Sequence, residues 1–185
     1  MNNKIICAVT GRNIWEIGNG LSETYYKNVD IKRAITKEIS KFIKDGITDF
    51  ILNAERCFSL WAAEAIIVLR DIRIEQGRPA PRVHIVIPYE AYGSDFDDDT
   101  HDKLYEICEE SDAVLTLYRR EQDKCHENCK RFIIDNCDFL FTDDENYFAA
   151  QYAELHKSRS MSVKHFNVFD VVLQKISLSK TGRLF

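Results

Sequence analysis

Thr10, Gly11 and Arg12 follow directly on the apolar run Ile5 to Val9, and Asn53, Ala54, Glu55 and Arg56 follow on Phe50-Ile51-Leu52. A threonine hydroxyl can donate to a phosphate or ribose oxygen, a glycine lets the backbone turn without a Cβ clash, and an arginine offers a planar fork for phosphate. Glu64 stands one turn inside a helix opening Leu60-Trp61-Ala62-Ala63. There a carboxylate could reach a ribose hydroxyl or act as an acid or base; the helix dipole alone also favours one at that place. The stretch from Asn53 to Ser59 contains no glycine, so its backbone cannot approach a phosphate as closely as a glycine-rich turn does.

Two other clusters invite a metal and are better read without one. Cys125 and Cys129 share a helix face around His126, but structural zinc needs four convergent ligands and no second paired cluster exists. Asp95-Phe96-Asp97-Asp98-Asp99 lacks the glycine and terminal glutamate of an EF-hand loop, so it reads as the cap of a following helix. No metal site is therefore expected. The histidines are scattered without a Ser/His/Asp or Cys/His order, and His84, inside a strand, reads as a satisfied core residue. Trp15, Tyr25, Tyr26 and Tyr89 could stack a base or form a subunit interface.

These residues need a scaffold, and the chain supplies one by alternation. Lys4 to Val9, Asp49 to Asn53, Arg82 to Pro88, Ala113 to Leu117 and Asp138 to Thr142 read as strands, with Val163 to Val168 a last addition. Helical spacing falls between them: Ile31 to Ile43 ending at Gly46, Ser59 to Gln76 with Trp61, Ala65, Ile66, Leu69 and Ile72 inward, a helix over Leu104, Ile107 and Cys108, Asp123 to Asn136, and Asn146 to Lys157. Regular βα alternation with short connections predicts one α/β domain, a mainly parallel sheet with helices on both faces. Residues 1–170 form that domain and 171–185 a tail of uncertain structure.

The 185 residues carry a net charge of −5, with 45% hydrophobic and 30% charged residues. Those values fit a soluble globular protein and disfavour a dedicated nucleic-acid binder, although Lys157 to Arg159 or Arg70 with Arg73 could form a local basic patch. No apolar stretch approaches the roughly 18 residues of a membrane span, and no signal-peptide anatomy precedes the first strand, so a cytoplasmic protein with no membrane partner is expected. The six cysteines lie in core-like surroundings and read as reduced thiols.

The order Ala-Val-Thr-Gly, an aromatic-containing insertion, Phe50 to Asn53, Leu60-Trp61-Ala62-Ala63-Glu64-Ala65, Ile87-Pro88-Tyr89 and Phe132 to Asp138 resembles the YpsA-like family. That family belongs to the SLOG superfamily of Rossmann-type proteins, with DprA-like and LOG-type members. The resemblance runs from about Lys4 to about Val168 and implies a Rossmann-like fold with a pocket for a nucleotide or nucleotide-derived ligand. By position, Thr10, Gly11 and Arg12 form its first loop, Asn53 to Ser59, including Glu55 and Arg56, the second, Trp61 and Glu64 the helix wall, and Pro88 and Tyr89 the third edge. The chain departs from its relatives in lacking the glycine-containing second turn, and Thr142 leads into three acids where relatives often have a glycine-threonine turn. The LOG-type Pro-Gly-Gly-x-Gly-Thr motif is absent, so that hydrolase activity is not inherited.

Three functions fit these residues. The first is a sensor or regulator binding a nucleotide-derived small molecule, its identity open. The second is a nucleotide-processing N-glycosidic hydrolase in which Glu64 or Glu55 is the base or stabilises an oxocarbenium-like centre. The third is an interaction module whose pocket has degenerated and whose aromatic surface binds a partner or another copy of the chain.

Overall fold

Buried apolar runs ending at polar residues do become parallel strands. The computed structural model describes residues 4–11, 26–143, 148–155 and 162–166, with the side chains of 26–28 and 148–150 excepted. Among the described residues six strands form one parallel sheet in the order β4-β3-β2-β1-β5-β6. The strands are β1 (Ile6–Val9), β2 (Asp49–Asn53), β3 (Arg82–Tyr89), β4 (Ala113–Tyr118), β5 (Phe139–Thr142) and β6 (Ser162–His165). The helices are α1 (Tyr26–Lys44), α2 (Phe58–Glu75), α3 (Asp98–Glu110), α4 (Cys125–Asp135) and α5 (Phe148–Leu155). The result is a single α/β Rossmann-like domain.

Side-chain alternation along β1 divides the core in two. Cys7 and Val9 join the larger cluster with Ile35 and Ile39 of α1, Phe58 and Ile66 of α2, and Leu104 and Ile107 of α3. Ala8 points the other way, into the cluster of Cys129, Ile133 and Ile134 from α4 and Ala153 from α5. Helices thus cover both faces, as two-sided apolar strands require. The chain adds β2, β3 and β4 outward on one side of β1, then returns to place β5 on the other, so strand order reverses between β1 and β5. In such sheets the ligand crevice opens at that reversal, outside the carboxyl ends of the strands.

Three details differ from the sequence reading. Ile72 continues the apolar stripe of α2 but is 42% exposed, because the fully buried part of that helix ends at Ile67 and, among the described residues beyond it, Leu69 is the apolar side chain that packs on the core. Pro88 lies inside β3 and does not end it. Val86 accepts from the Ala54 N–H on the β2 side, and β2 has ended before the chain reaches Pro88, so the missing proline donor costs no ladder bond. The helix after the aromatic insertion begins earlier than expected, at Tyr26. Arg12, Trp15 and Tyr25, the ring of Tyr26, Lys157 to Arg159 and the tail 171–185 lie outside the described residues.

At the amino-terminal end of the sheet, fully buried Asp49 gathers the partners that lock three strands together. Its carboxylate accepts from Thr48 Oγ1 at 2.8 Å and Arg82 Nη2 at 3.2 Å, stands 2.8 Å from His84 Nε2, and pairs with Lys4 at 3.3 Å. Burial pushes the carboxyl upward, but the combined bonds from His84, Thr48, Arg82 and Lys4 outweigh it and hold its pKa below the ordinary value. The histidine read as a satisfied core residue is satisfied by this carboxylate.

Candidate functional site

Register places a row of polar side chains across the carboxyl ends of the central strands. Val9 pairs with Leu52 on one side and Phe141 on the other, so the next residues, Thr10, Asn53 and Thr142, lie level. All three are buried, at 0%, 2% and 0% exposure. Thr10 Oγ1, Asn53 Nδ2 and Thr142 Oγ1 have no hydrogen-bond partner among the described residues. A buried donor left unmade costs about 1–3 kcal/mol, so three level ones at a strand-order reversal make this row the candidate site.

The amino end of α2 abuts this row. The Ser59 hydroxyl contacts the Asn53 carbonyl, Asn53 Oδ1 at 3.1 Å and the Val9 carbonyl at 3.4 Å, which orients the Asn53 amide and leaves its Nδ2 over. Cys57, the N-cap, has φ 77° and ψ −109° and makes no side-chain cap. The first helical bond runs from the Trp61 N–H to the Cys57 carbonyl at 2.8 Å, so the N–H groups ahead of it have no acceptor within the helix. Such an end attracts anions. A left-handed φ at a residue with a Cβ is strained, of order 1–3 kcal/mol.

Gly11 has a different reason to be glycine from the turn expected of it. It is not among the glycines of positive φ, and a Cβ there would lie 2.5 Å from Phe58 Cδ1. The missing side chain makes room for Phe58, which is fully buried between Phe141 and Phe166.

Beyond Asn53 the chain enters a cavity of about 260 Å³. Glu55 and Arg56 form one wall, Tyr89, Tyr92 and Phe96 another, and Glu121 and His126 the far rim, with Asp95 beside Phe96. Tyr89, Tyr92 and His126 meet edge to face with centroids 5.5–5.9 Å apart. Arg56 lies over the Phe96 ring at 3.9 Å, and its Nη2 donates to the Asp95 carbonyl at 3.1 Å. Glu55 is bridged to Lys130 of α4 at 2.9 Å. Burial pushes the Tyr92 hydroxyl well above the usual tyrosine range, and Glu55 adds to the effect; burial also raises Tyr89, with help from Glu121 and Asp95.

The sequence-predicted residues are therefore only partly brought together. Thr10 and Asn53 join the strand-end row, and Glu55, Arg56 and Tyr89 line the cavity. Trp61 is 3% exposed in the core, its Nε1 without a hydrogen-bond partner and Lys32 Nζ 5.5 Å over its ring. Glu64 does not share the cavity with Glu55: it pairs with Lys32 of α1 at 3.2 Å and Lys103 of α3 at 3.8 Å. Pro88 is buried within β3. Thr142, Tyr92, Phe96, Glu121 and His126 were not among the ligand-site residues expected from type or spacing. A signal for Thr142 existed, since the run Phe139-Leu140-Phe141 stops at threonine just as Cys7-Ala8-Val9 does.

The two clusters set aside as metal candidates have structural partners. Asp97 caps α3, its Oδ1 accepting from the Thr100 N–H at 3.0 Å and hydroxyl at 2.9 Å, and those bonds hold its carboxyl below the ordinary range. Cys129 Sγ donates to the Val86 carbonyl at 3.4 Å inside the smaller core cluster, where burial pushes its thiol up to about 12. No helix among the described residues is long and apolar enough to cross a membrane.

Comparison with known proteins agrees with the resemblance seen in the motifs. A "UPF0398 protein" of Streptococcus mutans serotype c (strain ATCC 700610 / UA159) is 25% identical over 147 residues, covering 78% of this chain and 80% of that one. One from Streptococcus equi subsp. equi (strain 4047) is 26% identical over 147 residues, 78% and 81% of the two chains, and one from Macrococcus caseolyticus (strain JCSC5402) is 23% identical over 156 residues, 80% and 79%. The model of the YpsA family, described as the YspA SLOG family, matches residues 7–175, and the chain belongs to that family.

Proposed function

We propose that this protein binds a nucleotide or nucleotide-derived small molecule at the carboxyl ends of β1, β2 and β5, as a sensor or regulator and not as a fast catalyst. The observation that carries the reading is the level row of Thr10 Oγ1, Asn53 Nδ2 and Thr142 Oγ1, buried and without hydrogen-bond partners beside the uncapped start of α2. Those donors suit phosphate or ribose oxygens. The cavity begins two residues past Asn53, no more than about 7 Å of chain away. Its aromatic walls suit a ring, and its carboxylates, Glu55, Asp95 and Glu121 against the single Arg56, suit ring N–H donors better than a second phosphate. A regulatory outcome fits because Glu64 is held by two lysines outside the cavity and Glu55 is tied to Lys130.

Phe58 packed over Gly11 and Arg56 laid across Phe96 favour a second reading, an interaction module whose pocket is filled by its own side chains. Thr10→Val separates the two. It removes the unpartnered hydroxyl at nearly constant volume, so the ligand-free protein should melt at the same temperature or higher. In a thermal-shift screen of nucleotides, nucleoside monophosphates and ADP-ribose-type compounds, the intact protein should be stabilised by a ligand whose effect Thr10→Val loses. A shift that persists in Thr10→Val sinks the strand-end site; no shift from any compound moves the reading to the filled pocket.

A further inference from the structure

β4 is an edge strand whose first four residues are bare on both faces, while Leu117 packs against the smaller core cluster and the Tyr118 hydroxyl accepts from Asn128 Nδ2 of α4 at 2.9 Å. Ala113, Val114, Leu115 and Thr116 are exposed in succession, with Val114 at 43% and Leu115 at 44%. Strands of a doubly wound parallel sheet are ordinarily buried on both faces. The sequence Ala-Val-Leu-Thr-Leu-Tyr contains no charge, proline or glycine, so it has none of the devices that keep an exposed edge from pairing. The opposite edge has them: β6 is four residues long and includes Lys164 and His165.

Hydrogen-bond parity shows which groups β4 offers. The Asp112 N–H donates to the Val83 carbonyl at 2.9 Å, and the Tyr118 carbonyl accepts from the Glu90 N–H at 3.2 Å. Within the ladder the Val86 carbonyl turns to β2, so odd-numbered residues of β3 face β4. With Ile85 beside Val114 and Ile87 beside Thr116, Ala113, Leu115 and Leu117 turn their peptide groups to β3, and Val114 and Thr116 turn theirs to the open edge. Charge is divided between the strand's ends. Glu109, Glu110 and Asp112 lie at its start, Arg119 and Arg120 at its finish.

We infer that β4 is the surface by which two copies of this chain associate, pairing antiparallel across a twofold axis to make one continuous sheet. Antiparallel pairing sets the acidic start of each copy against the basic finish of the other, whereas a parallel partner would set acid beside acid. Twofold symmetry demands the antiparallel arrangement in any case. Because Val114 and Thr116 face outward, even-numbered residues must oppose one another. The register with its axis at Thr116 does this, placing Leu115 opposite Leu117 and Asp112 opposite Arg120. This interface does not depend on the nucleotide reading.

The register makes a sharp test possible. Thr116 stands opposite its own symmetry mate in a mutually hydrogen-bonded pair, with Cα atoms about 5.5 Å apart, inside the reach of a disulfide. The two copies of residue 114 are four strand positions apart, about 13 Å, which no disulfide spans. Light scattering on the intact protein should give twice 21.6 kDa. After mild oxidation, Thr116→Cys should run as a covalent dimer on a non-reducing gel, while Val114→Cys and the unsubstituted chain run as monomers. Leu115→Lys should reduce the dissolved mass to a monomer with its circular dichroism unchanged. A monomer at every concentration overturns the proposal, and so does a dimer in which residue 116 fails to cross-link or residue 114 links as well.

Discussion

A single missing carbon at Gly11 decides how α2 seats on the sheet. Gly11→Ala would bring a Cβ to 2.5 Å from Phe58 Cδ1 and 2.8 Å from its Cβ, and Phe58 is hemmed in by Phe141 and Phe166. The ring has no exposed direction to retreat into. Overpacking of this kind costs about 1–3 kcal/mol, to be read as a lower urea midpoint at an unchanged slope. A midpoint equal to that of the unsubstituted protein would show that Phe58 moves freely and that Gly11 has another purpose. That Gly11 mattered was legible from Thr-Gly after a strand; what it makes room for was not, since Phe58 opens a helix more than forty residues later.

At the scale of elements, the amino-terminal ends of β1, β2 and β3 are held by one carboxylate. Asp49→Asn keeps the shape but removes the charge facing Lys4, Arg82 and His84. Breaking a buried pair by removing one partner costs about 3–5 kcal/mol, and the partly exposed Lys4 and Arg82 place this case near the lower end. Denaturant unfolding of the variant should show that loss; a change under about 1 kcal/mol would mean the cations simply turn to water. Strand and helix positions were readable because burial writes its period into the chain: β1 and β2 stand where the apolar runs lie, and Asp97 caps α3 as its place before a helical stripe required. Ile72 misled for the same reason, since periodicity reports which way a residue points on its helix and not whether anything waits there.

For the molecule as a whole, the two carboxylates with lowered pKa among the described residues contribute to its response to acid. Asp49 and Asp97 both titrate below their unfolded value of about 3.9, so the stability they contribute is full above that pH. It is lost as pH falls through their folded values. Circular dichroism in urea should therefore give a midpoint that falls as pH drops below about 4, and a less steep fall in Asp49→Asn combined with Asp97→Asn. Equal slopes in the two proteins would place acid sensitivity elsewhere.

The amino-acid sequence by itself determined the class of fold, the family and the polar residues at which the central strands end. Each of these depends on local pattern: apolar runs that stop at Thr10 and Asn53, helical stripes between them, and motifs kept in order. Only the tertiary structure decided which residues share a site. Level register made a row of Thr10, Asn53 and Thr142 from strands far apart in the chain, and helix packing turned Glu64 to its lysines and away from Glu55. Folding brought Tyr92, Phe96 and His126 together around a cavity and left the first four residues of β4 exposed. Distances between residues remote in sequence are set by how whole elements pack, and no local periodicity records them.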